Sequence, residues 1–246
     1  MTVLSVNVNK IALLRNSRGR DFPRVLDFIE QVLDLGVRGI TVHPRPDERH
    51  ITRQDVYDIR DFLQQHPHVE FNIEGYPSED FMRMLLEVAP AQATLVPDQP
   101  GQLTSDHGWN IAANMALLQS RLTQLRKAGI RSSLFLDPAP AAVAQVLAVG
   151  ADRIELYTEA FARQFGSAQE SVVFEQYRRT AAQAQNLGIG VNAGHDLNLQ
   201  NLGKFLEIPD ILEVSIGHAL VVESLQVGVP AVIARYLALT GQATTS

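Results

Sequence analysis

The sequence predicts a (β/α)8 barrel with a parallel eight-stranded core, spanning residues 1–246 as one domain. Three observations carry that prediction. Eight short β-branched runs, each followed by a helical stretch, fall at 3–7, 39–43, 69–74, 93–97, 132–137, 153–157, 190–192 and 212–216. The length of 246 residues suits one such barrel. The runs also tend to end in polar or catalytic residue types, and barrel chemistry sits at the C-terminal ends of the strands. His43, Glu74, Glu155, His195 and His218 are therefore expected to face one mouth.

Taken in order, the first strand, Leu4-Ser5-Val6-Asn7-Val8-Asn9, leads into an expected loop at 15–20, Arg-Asn-Ser-Arg-Gly-Arg. Pro23 suits the first turn of a helix that carries Val25, Phe28, Ile29, Val32 and Leu33 at helical spacing and closes at Gly36. Gly39-Ile40-Thr41-Val42-His43 forms the second strand. Thr52 is the expected N-cap of the next helix, with Asp55 three residues on imitating a capping box. The clean alternation of 69–74 gives the third strand, stopped by Gly75 and Pro77, and a helix is expected at about 78–88. Strand four, 93–97, opens a long segment, 98–108, whose Pro100, Gly101 and Gly108 suit a hinged lid or an ordinary surface excursion.

The second half repeats the pattern. A helix at 111–128 precedes strand five at 132–136, and Pro138 and Pro140 begin the next helix. Strand six, 153–157, is followed by a polar loop and a helix around 170–187. Strand seven is Gly190-Val191-Asn192, then comes a short helix at 199–206. Strand eight ends at Ile216, and Gly217-His218 opens a last helical region that Pro230 divides or kinks, before a frayed tail at 242–246.

Composition narrows the function. A formal charge of −6 argues against a general nucleic-acid or membrane-surface role, which needs a basic face. The absence of cysteine removes disulfides, thiolate nucleophiles and Cys-ligated metals. With no signal peptide and no apolar run of membrane-spanning length visible, a cytoplasmic enzyme is expected. Lys10, Lys127 and Lys204 are the only lysines; the last two fall on helices and Lys10 in a loop, so a Schiff-base aldolase is not favoured. Strand one carries no His-x-His and the chain no dense His/Asp cluster, so an obligatory catalytic metal is not indicated.

Acid–base chemistry on a phosphorylated carbonyl compound remains. His43, His195 and His218 share the predicted rim, whereas His66, His68 and His107 read as solvated and His50 falls between. Glu74 ends its strand, where partial burial can bring a carboxyl into the range of a general acid or base. Glu155 lies mid-strand, where an inward carboxylate paired with arginine is the competing explanation, and Glu70 sits deeper still. Gly217-His218 at a strand-to-helix turn suits an anion, and Arg18, Arg20 and Arg45 add donors matched to phosphate oxygens.

Several strings together resemble the pyridoxine 5′-phosphate synthase family. They are Val6-Asn7-Val8-Asn9-Lys10-Ile11-Ala12 with Arg15-Asn16-Ser17-Arg18-Gly19, Gly39-Ile40-Thr41-Val42-His43-Pro44-Arg45, Arg49-His50-Ile51, Asn72-Ile73-Glu74, Leu95-Val96-Pro97 with Thr104, Asn192-Ala193-Gly194-His195, and Ile216-Gly217-His218-Ala219. The resemblance implies a cofactor-free ring closure that joins two phosphorylated small molecules, in a homo-oligomer that is often an octamer. It further implies that His43 and Glu74 accept protons, that His195 donates one, and that Glu155 stabilises cationic intermediates. By the same resemblance Asn7, Arg18, Gly217 and His218 contact the amino-ketone phosphate or product, and Arg45, His50 and Thr104 the pentulose phosphate; Asp196 falls beside these contacts.

The chain departs from the family pattern at Asn9-Lys10, where many members carry Asp-His, and at Asp196, commonly glycine. The segment before Glu74 is also longer than usual, so the choice of Glu74 over Glu70 rests on alignment. Two other readings compete. An isomerase or aldolase-like lyase acting on another sugar phosphate would need no amino-ketone partner. A barrel that only binds pyridoxine phosphate or a sugar phosphate would have no use for His43, Glu74 and His195 together.

Overall fold

The computed structural model describes residues 1–98, 102 and 105–242. Eight parallel strands close into a barrel in strict chain order, β8 pairing with β1. They are β1 (Val3–Asn7), β2 (Gly39–Val42), β3 (Glu70–Gly75), β4 (Gln92–Leu95), β5 (Arg131–Leu136), β6 (Arg153–Tyr157), β7 (Gly190–Gly194) and β8 (Ile211–Ile216). The helices between them are α1 (Asn9–Asn16), α2 (Val25–Asp34), α3 (Arg53–Leu63), α4 (Glu79–Val88), α5 (Met115–Lys127), α6 (Pro140–Val149), α7 (Glu159–Gln164), α8 (Glu170–Asn186), α9 (Leu202–Phe205), α10 (His218–Val227) and α11 (Val229–Thr240).

Alternation along each strand sorts the residues. The outward set (Leu4, Val6, Ile40, Val42, Ile73, Leu134, Ile154, Val214 and their neighbours) is buried beneath the helices and forms the apolar core. The inward set is polar, where barrels of this class usually carry branched aliphatics. Such groups are tolerated only when hydrogen-bonded to one another. Here the Ser5 and Thr41 hydroxyls are 2.7 Å apart, Asn72 Nδ2 donates to Thr41 at 3.3 Å, and the Thr94 hydroxyl donates to Asn72 Oδ1 at 3.0 Å. Thr94 also lies 3.4 Å from Glu155 Oε2, so this belt crosses five strands, from β1 through β4 and over to β6. Below it Gln92 receives Arg131 Nε (2.9 Å) and Asn192 Nδ2 (3.3 Å).

The capping box forms as the spacing predicts: Thr52 Oγ1 accepts the Asp55 N–H and Asp55 accepts the Thr52 N–H. Several expectations are corrected. The stretch expected as loop at 15–20 overlaps α1, which begins directly after β1. That helix hides only Ile11 and Ala12 and leaves Leu13 and Leu14 exposed, so its periodicity is weak. Pro23 lies just before α2, whose N-cap is Arg24, rather than in its first turn. The polar loop after β6 contains α7, and β7 runs two residues past Asn192. Gly228 separates α10 from α11, with Pro230 in the first turn of the latter. Gln242 is no frayed end: its Oε1 receives the Leu4 N–H at 2.9 Å. Residues 99–101 and 103–104 of the segment expected as a lid, Thr104 among them, lie outside the described residues.

Candidate active site

The C-terminal ends of β2 and β3 bring His43 and Glu74 together, with His43 Nδ1 3.7 Å from Glu74 Oε2. The His43 backbone is fixed from β1's side: its N–H donates to Asn9 Oδ1 at 2.9 Å. The amide at position 9 thus holds this anchor without a carboxylate. Glu70 lies at the opposite end of β3 and pairs with Arg131, which leaves Glu74 as the carboxyl of this strand that meets His43.

The two side chains are pushed in opposite directions. Burial, reinforced by Arg45, His50, His195 and Arg49, holds the His43 imidazole well below the ordinary histidine range. Burial also lifts the Glu74 carboxyl well above the ordinary carboxylate range, helped by Glu155, Asp98 and Glu213 and opposed by Arg45. Both shifts favour the uncharged forms, a proton on Glu74 and a neutral acceptor on His43 beside it. A cation formed next to Glu74 would draw that proton off and leave a carboxylate where a base is needed.

Glu155 lies below them on β6, 2% exposed. Burial, then repulsion from Glu213, pushes its carboxyl up to about 8, while the Thr94 hydroxyl pulls the other way. It fills the space a side chain at position 194 would need: a Cβ on Gly194 would run into Glu155 Oε1. No arginine pairs with Glu155 among the described contacts. Arginine pairing is found instead at Glu70 and, at 3.9 Å, between Arg153 and Glu213.

Across the mouth, His195 and Asp196 follow β7, both in the left-handed backbone region at φ 77° and φ 58°. Two consecutive non-glycine residues there are costly and persist only when their surroundings hold them. Thr158 Oγ1 donates to the Gly194 carbonyl at 2.8 Å and to the His195 carbonyl, and Asn201 Nδ2 donates to the Asp196 carbonyl at 3.1 Å. The His195 ring packs edge-on to Tyr157, centroids 5.1 Å apart, with Phe135 6.0 Å away. The His195 ring holds Asp196 below the ordinary carboxylate range, and His218 adds to the effect.

Asn7 and Gly217 meet where β1 closes on β8; a Cβ on Gly217 would lie 3.0 Å from Asn7 Cβ. Gly217 precedes α10 without a side-chain cap among the described residues, and an uncapped helix start of this kind is suited to an anion. His218 is exposed at that helix start, and Arg18 is exposed beyond α1. On the other side a cavity of about 590 Å³ opens beside His43, lined by Arg45, Arg49, Tyr76, Phe81 and Asp98. Arg45 is already engaged there: its Nη2 donates to Asp98 Oδ2 at 2.6 Å and Nη1 to the Gln102 carbonyl at 3.3 Å. Ser105 shares the same Asp98 oxygen, whereas Asp98 Oδ1 is buried without a partner among the described residues. Sequence reasoning missed Asp98, Tyr157 and Glu213. Asp98 stands one residue past Leu95-Val96-Pro97, and Glu213 alternates with Ser215, so the rim rule and period two would have found both.

A closed parallel barrel with proton-carrying groups at its rim, and an uncapped helix start beside them, defines an acid–base barrel enzyme for small anionic substrates. Among the described residues no group of three or more His, Asp or Glu side chains is placed to hold a metal ion. Residues 4–242 match the family described as "Pyridoxal phosphate biosynthesis protein PdxJ", and the chain belongs to that family. It is 48% identical over 250 residues to the pyridoxine 5'-phosphate synthase of Leptospira biflexa serovar Patoc, covering 96% of each. With the pyridoxine 5'-phosphate synthase of Bacteroides thetaiotaomicron it shares 50% over 237 residues, covering 96% of this chain and 98% of that one. The N-(5'-phosphoribosyl)anthranilate isomerase of Pyrococcus furiosus is similar in fold alone, with a TM-score of 0.61 at 10% identity over 98% of this chain and 99% of that one.

Proposed function

We propose that the barrel condenses 1-deoxy-D-xylulose 5-phosphate with 3-amino-2-oxopropyl phosphate to pyridoxine 5′-phosphate, inorganic phosphate and water. The activity is that of a pyridoxine 5′-phosphate synthase, as in relatives of about half identity over nearly the whole chain. The observation that carries the residue assignment is the His43–Glu74 pair, 3.7 Å apart and oppositely shifted.

In this reading the amine attacks the pentulose ketone and forms an imine joining the substrates. Beside its cationic form Glu74 gives up its proton to His43, and the two residues then move protons through dehydration and loss of phosphate. Glu155 beneath stabilises cationic intermediates once it ionises. Water adds, the ring closes, and His195 donates the proton for the final dehydration. Asn7, Arg18, Asp196, Gly217 and His218 hold the amino-ketone phosphate or the product; Arg45, His50 and Thr104 hold the pentulose phosphate. Holding two substrates together supplies much of the rate, an advantage on the order of several kcal/mol.

The barrel works as one catalytic domain in the cytoplasm; no described helix is long and apolar enough to cross a membrane. It assembles as a homo-oligomer, an octamer by family resemblance. Neighbouring helices α1 and α10 support this with exposed Leu13, Leu14, Val222 and Leu225, the last 79% exposed. The test is a two-substrate assay that omits each substrate in turn. Product forms only with both present, and Glu74→Gln lowers turnover at least about a hundredfold. Turnover of that variant within about threefold of the parent would overturn the assignment of Glu74.

A further inference from the structure

The end of α1 grips the segment after β2 that carries His50. Asn16 Nδ2 donates into three successive backbone carbonyls, those of His50 (2.8 Å), Arg49 (3.2 Å) and Glu48 (3.4 Å). Three consecutive carbonyl oxygens pointing at one nitrogen mean that the chain is curled around it. That curl includes Glu48 in the left-handed region at φ 51°. The Asn16 amide is oriented from behind: its Oδ1 accepts Arg15 Nε at 3.0 Å, so Nδ2 must face the carbonyls. Arg15 is tied in turn to the N-terminus of α3. Its Nη2 donates to Asp55 Oδ2 at 2.8 Å, its Nη1 to Asp55 Oδ1, and Nη2 also reaches the His50 carbonyl at 3.3 Å.

The segment held in this way presents a histidine in one defined form. His50 Nδ1 accepts the Ile51 N–H at 2.9 Å, so in the neutral ring the proton sits on Nε2, a donor. Burial, with the positive charges of Arg45, Arg49 and Lys10, pulls the His50 imidazole down to about 4, so the ring is neutral at physiological pH. Ile51 beside it is fully buried and anchors the turn. The His50 ring lies 6.4 Å, centroid to centroid, from that of His43.

We propose that Asn16, held by Arg15, is a positioning residue for the pentulose-phosphate side of the site: by gathering the carbonyls of Glu48, Arg49 and His50 it aims the His50 Nε2–H at a phosphate or hydroxyl oxygen of that substrate. The inference rests on the functional reading above and deepens it. It gives the Arg15-Asn16 pair a task apart from the exposed Arg18 two residues on. The amino-ketone side is built mainly at β7, β8 and β1, with Arg18 beyond α1 adjoining the grip through its N–H, which donates to the Arg15 carbonyl at 3.3 Å.

The test uses Asn16→Ala and His50→Gln, singly and together, in the full-length protein. Calorimetric titration with inorganic phosphate and steady-state kinetics with both substrates are read alongside thermal unfolding. Expected for Asn16→Ala is a KM for the pentulose phosphate raised about tenfold, the KM for the amino ketone unchanged and kcat within about threefold. The effect should vanish in the His50→Gln background, because a residue acting through His50 has nothing left to aim. Equal rises in both KM values, a fall in kcat alone, or the same effect with and without His50 would overturn the proposal. Should Asn16→Ala fail to fold, Arg15→Lys loosens the same amide and must shift the same KM in the same direction. If the parent protein does not turn over the two substrates, the functional reading fails by itself. The phosphate titration then decides the inference: weaker binding on Asn16→Ala only when His50 is present supports it, and unchanged binding overturns it.

Discussion

Replacing Glu213 by glutamine should stabilise the protein, by an amount that grows as the pH rises from about 4.5 and levels off above about 7. Glu213 points into the barrel from β8 and is 2% exposed, with Gln92 Nε2 3.5 Å from Oε1 and Arg153 Nη1 3.9 Å from Oε2. Glu70, Glu74, Arg131, Arg153 and Glu155 are charged or titratable groups that interact with it. Burial outweighs its arginine neighbours and pushes the carboxyl from 4.5 up to about 7. In the unfolded chain this proton leaves near 4.5, so the folded state binds more protons between the two values. The stability this provides is complete below about 4.5 and lost as the pH rises through about 7. The gap between those values amounts to about 3 kcal/mol. Glutamine copies the protonated carboxyl at every pH and never meets that loss. Glu213→Gln and the parent should therefore unfold alike near pH ~4.5, and the variant should gain about 3 kcal/mol at pH ~8, or roughly 6–12 °C in Tm for a chain of this size. Circular dichroism melts and urea titrations at both pH values read this directly. A difference of the same size at both, or a loss at the higher pH, would refute the reasoning, since it would mean that the Arg153 contact outweighs burial.

Three further outcomes follow from contacts already described. Gly194→Ala places a methyl group against Glu155 Oε1 and should cost about 1–3 kcal/mol in denaturant unfolding, with a fall in turnover as Glu155 is displaced. Thr52→Ala removes the acceptor for the Asp55 N–H while leaving the reciprocal bond, and should cost about 1 kcal/mol, with kcat preserved. His50 is held neutral down to about 4, so inorganic phosphate binding should show no step attributable to it between pH ~5 and ~7; a titration whose step in that range disappears in His50→Gln would contradict this.

All eight strands were legible because β-branched runs, turn residues and period-two alternation agreed along most of the chain. The capping box was legible for a related reason: its two partners lie three residues apart. What escaped were elements whose reasons are tertiary. Helix α1 has little apolar periodicity and no side-chain cap, and its end is held by Asn16 and Arg15 reaching the segment after β2, more than thirty residues away. The rim rule put His43, Glu74, Glu155, His195 and His218 at one mouth from sequence position alone. It had no means of showing that Arg45 spends its guanidinium on Asp98, because that pairing is set by two loops from different strands. Nor did Asp196 look strained in the sequence; its φ of 58° is imposed by the chain path out of β7.

The polar belt inside the barrel bears on how this protein tolerates mutation. An interior filled by alkyl side chains is graded by volume, and one branched residue can often stand in for another. An interior joined by hydroxyls and amides is graded by direction, and each partner has few angles at which it can be replaced. Ser5, Thr41, Asn72, Thr94 and Glu155 form such a series across five strands, so a change at the first strand is felt at a carboxyl on the sixth. Variation around this barrel is therefore freest on its outer helices. Its polar interior, where each partner is fixed by direction, is the part where drift is least forgiven.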